Sequence, residues 1–394
     1  DDQLRQSTVV VTGSFIKGTP EDAALPVDTL SAEDLRLEGN PSLTELIRNL
    51  GVSSGVDGQT NQFASNGLEG TSNVNLRGLG PGRTLVLLNG RRQVLHPYAI
   101  GEQAQLFVDT NMIPTAAIGR IEVLKDGAAA LYGSDAIAGV VNFILRDDFE
   151  GVEVSTSHEF SLEEGDAAIT DVSVTVGGNF DNGRGNAVLS FGYTNREAVF
   201  QGSREFSKQA WWSNGPGSTT YYPGGSSNIP TTRIRPAAGS AFDVTSDANG
   251  NPVAWSPYNY APTNYLQLPQ ERHMISGFAT YEINDHVEMY ARGIYSNNVV
   301  DSQLAPTPTG TLGMTINLDS PFLSTQMRDL IAADPNSNNG DGTADIRINR
   351  RMQEISTRNS LRDTNTFQGV FGFRGDLNDN WSYDVFYNYS RSSV

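Results

Sequence analysis

The chain has 394 residues, enough for two or three domains. It carries 27 Lys plus Arg against 45 Asp plus Glu, a net charge of −18, which excludes the basic face of a nucleic-acid binder and the polybasic patch of a peripheral membrane anchor. There is no cysteine, so neither a disulfide framework nor a thiolate metal site can form. With 40 glycines and 18% charged residues the composition favours a turn-rich β protein. No apolar run reaches transmembrane-helix length, but membrane strands give only a faint alternating signal and stay open. Asp1-Asp2-Gln3 lacks a basic and apolar leader, so any export signal is expected to be gone already.

Residues 1–25 are polar apart from Ser7, Thr8, Val9, Val10, Val11, Thr12 and Gly13. This β-prone stretch reads either as an edge strand of the first domain or as a segment that adds itself to a partner's sheet edge. Pro26 to Leu30 reads as a short strand. Ser31 and Asp34 have the spacing of a capping box. Asn40 and Pro41 open a helix whose Leu43, Leu46, Ile47 and Leu50 share one face, and Gly51 ends it. Val52 to Thr71 is a Gly-, Ser- and Asn-rich loop.

A short strand is expected over Val74 to Gly78, then a Gly80-Pro81-Gly82 break and an apolar strand Thr84 to Leu88. Asn89-Gly90 is a strong hairpin signal, because both residues tolerate positive φ. Ile118 to Leu124 forms a further strand. A small-residue turn, Ala128 to Gly133, leads to the apolar run Ala138 to Leu145. Helices beside one small sheet make this an α+β unit.

From Gly151 strict alternation takes over. Val172, Val174 and Val176 alternate with Ser173 and Thr175; Leu189, Phe191 and Tyr193 with Ser190 and Gly192. Similar patterns recur around Ile275, Met289, Phe371 and Tyr387. Residues 151–394 give about seven strands, most near the ~9–11 residues a tilted membrane strand needs. Short connections (Asp181 to Gly185, Asn284-Asp285, Asn378-Asp379) alternate with longer ones, two of them very long and without predicted structure: Glu197 to Gln270 and Asp301 to Ser360. Sorting by parity is what a bacterial outer-membrane barrel shows.

Several stretches in order, Asn75-Leu76-Arg77-Gly78, Leu87-Leu88-Asn89-Gly90, Ile113-Pro114, Ile118 to Gly127 and Ala130 to Asn142, resemble the plug domain of TonB-dependent outer-membrane receptors. The resemblance implies a plug inside an antiparallel transmembrane β-barrel, with residues 1–25 an N-terminal segment, 26–150 the plug and 151–394 the first part of the barrel. Seven strands cannot close a barrel that needs an even number, so the barrel is expected to be incomplete here, its remainder missing from this chain or supplied by another. The implied function is active uptake of a scarce ligand, most often an iron–siderophore complex, with oligosaccharide, cobalamin or peptide as alternatives. Implied partners are TonB, pairing with a TonB-box-like Ser7 to Gly13, the outer-membrane lipid and an extracellular ligand.

By order along the motifs, the plug's ligand-facing loops correspond to Val56 to Asn66, Leu79 to Arg83 and Arg92 to Gln105. The named candidates are Gln59, Asn61, Gln62, Phe63, Arg83, His96, Tyr98 and Gln103. Arg77, Arg83, Arg120 and Glu122 are expected to form plug–barrel ion pairs. In the long loops Trp211, Trp212, Tyr221, Tyr222, Trp255, Tyr258, Tyr260 and Tyr265 could face a ligand, line an interfacial belt or pack within the loop.

Asp334, Asn336, Asn338 and Asp345 carry oxygens at the spacing of a Ca²⁺ loop, but Asn339 stands where glycine is expected and the last ligand is Asp rather than Glu. A polar loop without metal is the alternative, and no other cofactor is expected. His96, His158, His273 and His286 lack metal spacing, and no catalytic or phosphate-loop motif is present. The rival to a receptor is a secreted β-rich glycan-binding or adhesion protein.

Overall fold

The computed structural model describes residues 12, 27–31, 34, 43–54, 68–99, 105–125, 129–146, 148–378 and 380–394. The chain divides into two compact units. The first holds Asp1–Ala198, Gln267–Asp301 and Leu361–Val394; the second holds Val199–Leu266 and Ser302–Ser360.

Within the first unit, β1 (Val27–Ser31), β2 (Thr84–Leu88), β3 (Arg91–Arg92), β4 (Ile118–Leu124) and β5 (Gly139–Leu145) form one sheet in the order β1-β4-β5-β2-β3. Strands β2 and β5 are parallel and the other pairs antiparallel. All five residues of β2 are buried, because apolar clusters cover both faces. Helix α1 (Leu43–Asn49) sets Leu43, Leu46 and Ile47 against Val86, Leu88, Ile121 and Phe143 on one face; Leu85, Leu87, Leu124 and Val140 pack on the other. A strand covered on both faces reads as a continuous apolar run, which is why β2 was legible without alternation.

Asn89 (φ 47°) and Gly90 (φ 71°) turn β2 into β3 with two successive left-handed residues, as their types allow. Ser31 and Asp34 cap each other: the Ser31 amide donates to Asp34 Oδ2 at 2.8 Å, and the Asp34 amide to Ser31 Oγ at 3.1 Å. The expected strand Val74 to Gly78 shrinks to a single bridge between Leu76 and Ser53. Arg77 (φ 55°) and Gly78 (φ 67°) curl the backbone away, so no ladder can continue.

The second sheet has seven strands: β6 (Gly151–Glu159), β7 (Ile169–Phe180), β8 (Gly185–Arg196), β9 (Gln270–Asn284), β10 (Val287–Leu304), β11 (Arg358–Asn378) and β12 (Trp381–Ser393). They lie side by side in sequence order, with β6 and β12 at the edges. Asp181 (φ 51°), Asn182 (φ 58°) and Gly183 (φ 86°) make the tight turn from β7 to β8. This sheet is a wall with its chemistry reversed from a soluble protein. On β9, Gln270, Arg272 and Ser276 are buried, whereas Ile275 is exposed. On β11, Thr366 and Gln368 are buried while Phe367, Phe371 and Phe373 are exposed.

The second unit overturns the expectation of two long connections without structure. Strands Arg233–Pro236, Thr343–Asn349 and Leu312–Asn317 form a three-stranded antiparallel sheet drawn from both connections. Helix Thr325–Ala332 is capped by Ser324, whose Oγ accepts from the Met327 amide at 3.1 Å. Its Met327 and Ile331 pack with Phe242, Ala344 and Ile346 into a separate core. Trp211, Trp212, Tyr221 and Tyr222 sit exposed on a small hairpin, Trp255 lies 4.0 Å beneath the Arg233 guanidinium, and Tyr265 is buried.

Arg233 grips Asp243 with two bonds, Nε to Oδ1 at 2.7 Å and an Nη to Oδ2 at 2.6 Å. These bonds hold the Asp243 carboxyl below the usual carboxylate range. A folded value below the unfolded one, about 3.9, means the stabilisation is complete above that value and is lost as pH falls through the folded one. Intrinsic-rate-corrected hydrogen exchange in strand Arg233–Pro236 should therefore lose protection in acid. Asp243→Asn should flatten that dependence, and an unchanged acid profile in the variant would refute the assignment.

Candidate functional site

The site is the contact between the small sheet's domain and the polar face of the wall. A domain that ends in loops leaves backbone carbonyls needing donors. The wall supplies them from arginine and amide side chains. Arg292 on β10 is buried; one Nη donates to the Leu88 carbonyl at 2.8 Å and the other to Gln368 Oε1 at 3.1 Å. Gln368 and Asn388 both reach the Arg92 carbonyl at 3.4 Å. Arg272 on β9 donates to Asn111 Oδ1 at 3.1 Å and to Thr194 Oγ1 at 2.9 Å. Asn111 and Asn298 in turn share the Gly70 carbonyl at 2.9 and 3.3 Å.

Among the described residues three ion pairs join the two parts. Arg91 pairs with Asp384 and also donates to Tyr290 Oη at 2.8 Å, its guanidinium 3.7 Å above the Phe386 ring. Glu69, nearly buried, meets Arg362 at 3.2 Å, and Arg146 meets Glu153 at 2.9 Å. Asp109 organises the loop that presents Asn111: its Oδ1 accepts from the Ser72 and Asn111 amides, each at 3.0 Å. Burial pushes the Asp109 carboxyl above its ordinary value.

The residues expected to form plug–barrel ion pairs have these contacts. Glu122 is fully buried within the small sheet and accepts from Arg120 Nε at 2.8 Å and from Thr12 Oγ1 at 2.5 Å. Arg77 donates to the Ile137 and Ala138 carbonyls at 3.2 and 3.1 Å, and Arg83 to the Leu79 carbonyl at 2.6 Å. These partners lie within the small domain. Contacts across to the other part are made by Arg91 and Glu69 from the small domain, and by Arg272 and Arg292 from the wall. A signal for the last two was available: a charge facing lipid from mid-strand is costly, so a strand arginine there belongs on the inner face.

Of the loop candidates, Arg83 and Tyr98 are exposed. His96 is not: it is 3% exposed, its ring stacked 5.0 Å from Phe107, with Nδ1 3.2 Å from the backbone of Tyr98. It braces the loop from inside. Gln59, Asn61, Gln62, Phe63 and Gln103 lie outside the described residues, as do Ser7 to Val11 and Gly13. Thr12, the described member of that segment, is buried, and Asn142 Nδ2 donates to its hydroxyl at 2.9 Å.

Asp334, Asn338 and Asp345 each have a protein partner. Asp334 Oδ2 accepts from Ser337 Oγ at 2.8 Å, Asn338 Nδ2 donates to the Ala332 carbonyl at 2.8 Å, and Asp345 Oδ1 accepts from Thr315 Oγ1 at 2.5 Å. Among the described residues no group of three His, Asp or Glu could hold a metal.

Beside the contact runs a cavity of about 440 Å³. Leu46, Arg48, Asn111 and Ala116 line one side; residues of β6, β7, β8 and β9, among them Glu153, Glu159, Asp171 and Arg272, line the other. From Glu153 to Glu159 the lining follows β6 for roughly 20 Å at the usual rise per strand residue. The wall and the small domain are joined by these polar ties and by Ile294 of β10, which packs into the small domain's apolar cluster.

Residues 19–140 match the family model described as the TonB-dependent Receptor Plug Domain. An iron-regulated outer membrane virulence protein of Vibrio cholerae serotype O1 is 30% identical over 173 residues, 43% of this chain and 25% of that protein. The vitamin B12 transporter BtuB of Vibrio cholerae serotype O1 is 33% identical over 153 residues, 38% of this chain and 23% of that protein. The aligned part thus spans about a quarter of each curated relative's length. Among solved structures, the ferric enterobactin receptor of Pseudomonas aeruginosa (PfeA) with enterobactin superimposes with a TM-score of 0.54 at 14% identity, covering 93% of this chain and 41% of that one. At that identity the likeness is one of fold.

Proposed function

This chain, a plug followed by barrel-wall strands, belongs to the TonB-dependent receptors of the bacterial outer membrane, and from that premise we propose that it serves active uptake of a scarce extracellular ligand. The reversed wall carries the reading. Apolar Leu189, Phe191, Ile275, Phe367 and Phe371 face outward, while Arg272, Arg292 and Gln368 face the plug. A soluble glycan-binding sandwich would invert that pattern, since its interior must be apolar.

In this reading, ligand meets the exposed Arg83 and Tyr98 on the plug's loops, and the Ser7 to Gly13 segment pairs with TonB. Force on that segment shifts the plug against its polar ties. Ties made of hydrogen bonds suit this work, because water can replace each one as it opens. One relative is named for vitamin B12 transport and another for regulation by iron, which makes a cobalamin and an iron chelate the first cargoes to test. Growth-linked uptake with and without the receptor, under iron, cobalamin and glycan limitation, tests this. A deletion that leaves all three uptakes unchanged would refute it.

The lipid-facing assignment has its own test. Phe371→Arg should cost about 2–4 kcal/mol of folding stability in lipid, as a charge at mid-membrane does on a barrel's outer face. Urea titration of folding into vesicles measures it. A loss below about 0.5 kcal/mol would place Phe371 in water.

A further inference from the structure

The polar face of the three-stranded sheet in the second unit is arranged against its own stability. Register sets Arg235 directly opposite Arg347, and Arg347 opposite Gly313. Like charges facing each other across strands repel. The neighbouring acids are committed elsewhere: Asp243 to Arg233, Asp345 to Thr315, Glu354 to Arg350. Arg235 donates to Thr311 Oγ1 at 3.3 Å, and Arg347 to the Pro236 and Gly239 carbonyls at 2.7 and 3.2 Å. Those neutral acceptors fix both guanidiniums in place without cancelling either charge.

Two further observations point to a guest. Arg235 Nε is buried with no hydrogen-bond partner, a donor left in reserve. A Cβ added at Gly313 would meet nothing within 4 Å, so the sheet is open beside the arginine pair. In a chain with 45 acidic side chains against 27 basic ones, two arginines facing each other across strands, neither in an ion pair of its own, are not a product of composition.

We propose that Arg235 and Arg347, over the open floor at Gly313, form a binding site for an oxyanion group, a phosphate or carboxylate. The guanidinium fork matches such groups in geometry as well as charge. The site stands on the second unit alone and does not depend on the transport reading.

Titration calorimetry on the full chain in detergent, at fixed ionic strength, tests it. The probes are inorganic phosphate, citrate, and micelles carrying phosphatidic acid, which separate a soluble from a lipid source. Saturable binding to any probe is expected, weakened about tenfold by Arg347→Gln, the usual cost of losing one charge-assisted contact. Gly313→Val keeps both arginines and their bonds but covers the floor; it should weaken binding similarly, which a purely structural role for the arginines would not produce. The proposal fails if no probe saturates, or if both variants bind as the unaltered chain does.

Discussion

Replacing Arg292 with alanine should loosen the plug from its wall by about 3–5 kcal/mol. The side chain is buried and makes two charge-assisted hydrogen bonds, to the Leu88 carbonyl and to Gln368. Bonds of this kind contribute about 1.5–3 kcal/mol each. The loss would propagate, because Gln368 is itself a donor to the Arg92 carbonyl and Arg91 lies next in the chain, in its pairing with Asp384. Hydrogen exchange over β2 and β3 should quicken by at least a hundredfold, given tenfold per ~1.4 kcal/mol. The wall's own strands, held by their ladders, should keep their protection. Arg292→Lys should restore part of the effect, since a point charge can reach one carbonyl but not two acceptors at once. Equal quickening in plug and wall would mean that Arg292 supports the barrel and not the contact.

What could be read from the sequence follows the range of the forces involved. Thr84 to Leu88 emerged with its correct ends because a threonine and four apolar residues lie between a turn and an Asn-Gly pair, all local signals. The seven wall strands emerged because alternation is local too, and the parity of their connections fixed which ends share a side. The second unit was hidden because its sheet pairs Arg233 with Asn349 and Arg235 with Arg347, partners more than a hundred residues apart. No short-range pattern encodes such a meeting. The plug–wall ties were hidden for a related reason: Arg91 and Arg92 are adjacent, yet one pairs with the wall's Asp384 and the other with the plug's Asp135. In the Ca²⁺-like run, Asp334 accepts from Ser337 and Asp345 lies in a strand, pairings that the spacing of the oxygens does not encode.

Glu122→Ala is the second substitution with a large expected effect, about 3–5 kcal/mol on the plug. The buried carboxylate accepts from both Arg120 and the Thr12 hydroxyl, so its removal takes the ion-pair partner from one and the acceptor from the other. Asn142 would lose support as well, because the hydroxyl it donates to is anchored by Glu122, while its own Oδ1 accepts from the Gly90 amide at 3.0 Å. The milder Thr12→Val keeps shape and deletes only the hydroxyl, costing about 1–3 kcal/mol. Comparing the two separates unfolding of the plug from release of the N-terminal segment. The chain has no cysteine, so Ser14→Cys creates a single thiol close to Thr12 in sequence. Its labelling rate should rise roughly tenfold or more in both variants, with the melting of the plug lowered less in Thr12→Val than in Glu122→Ala. Equal labelling in Ser14→Cys alone and with Thr12→Val would show that the Thr12 hydroxyl does not hold the segment down. A rise would show that the buried Glu122, through the Thr12 hydroxyl, holds Thr12 against the small sheet.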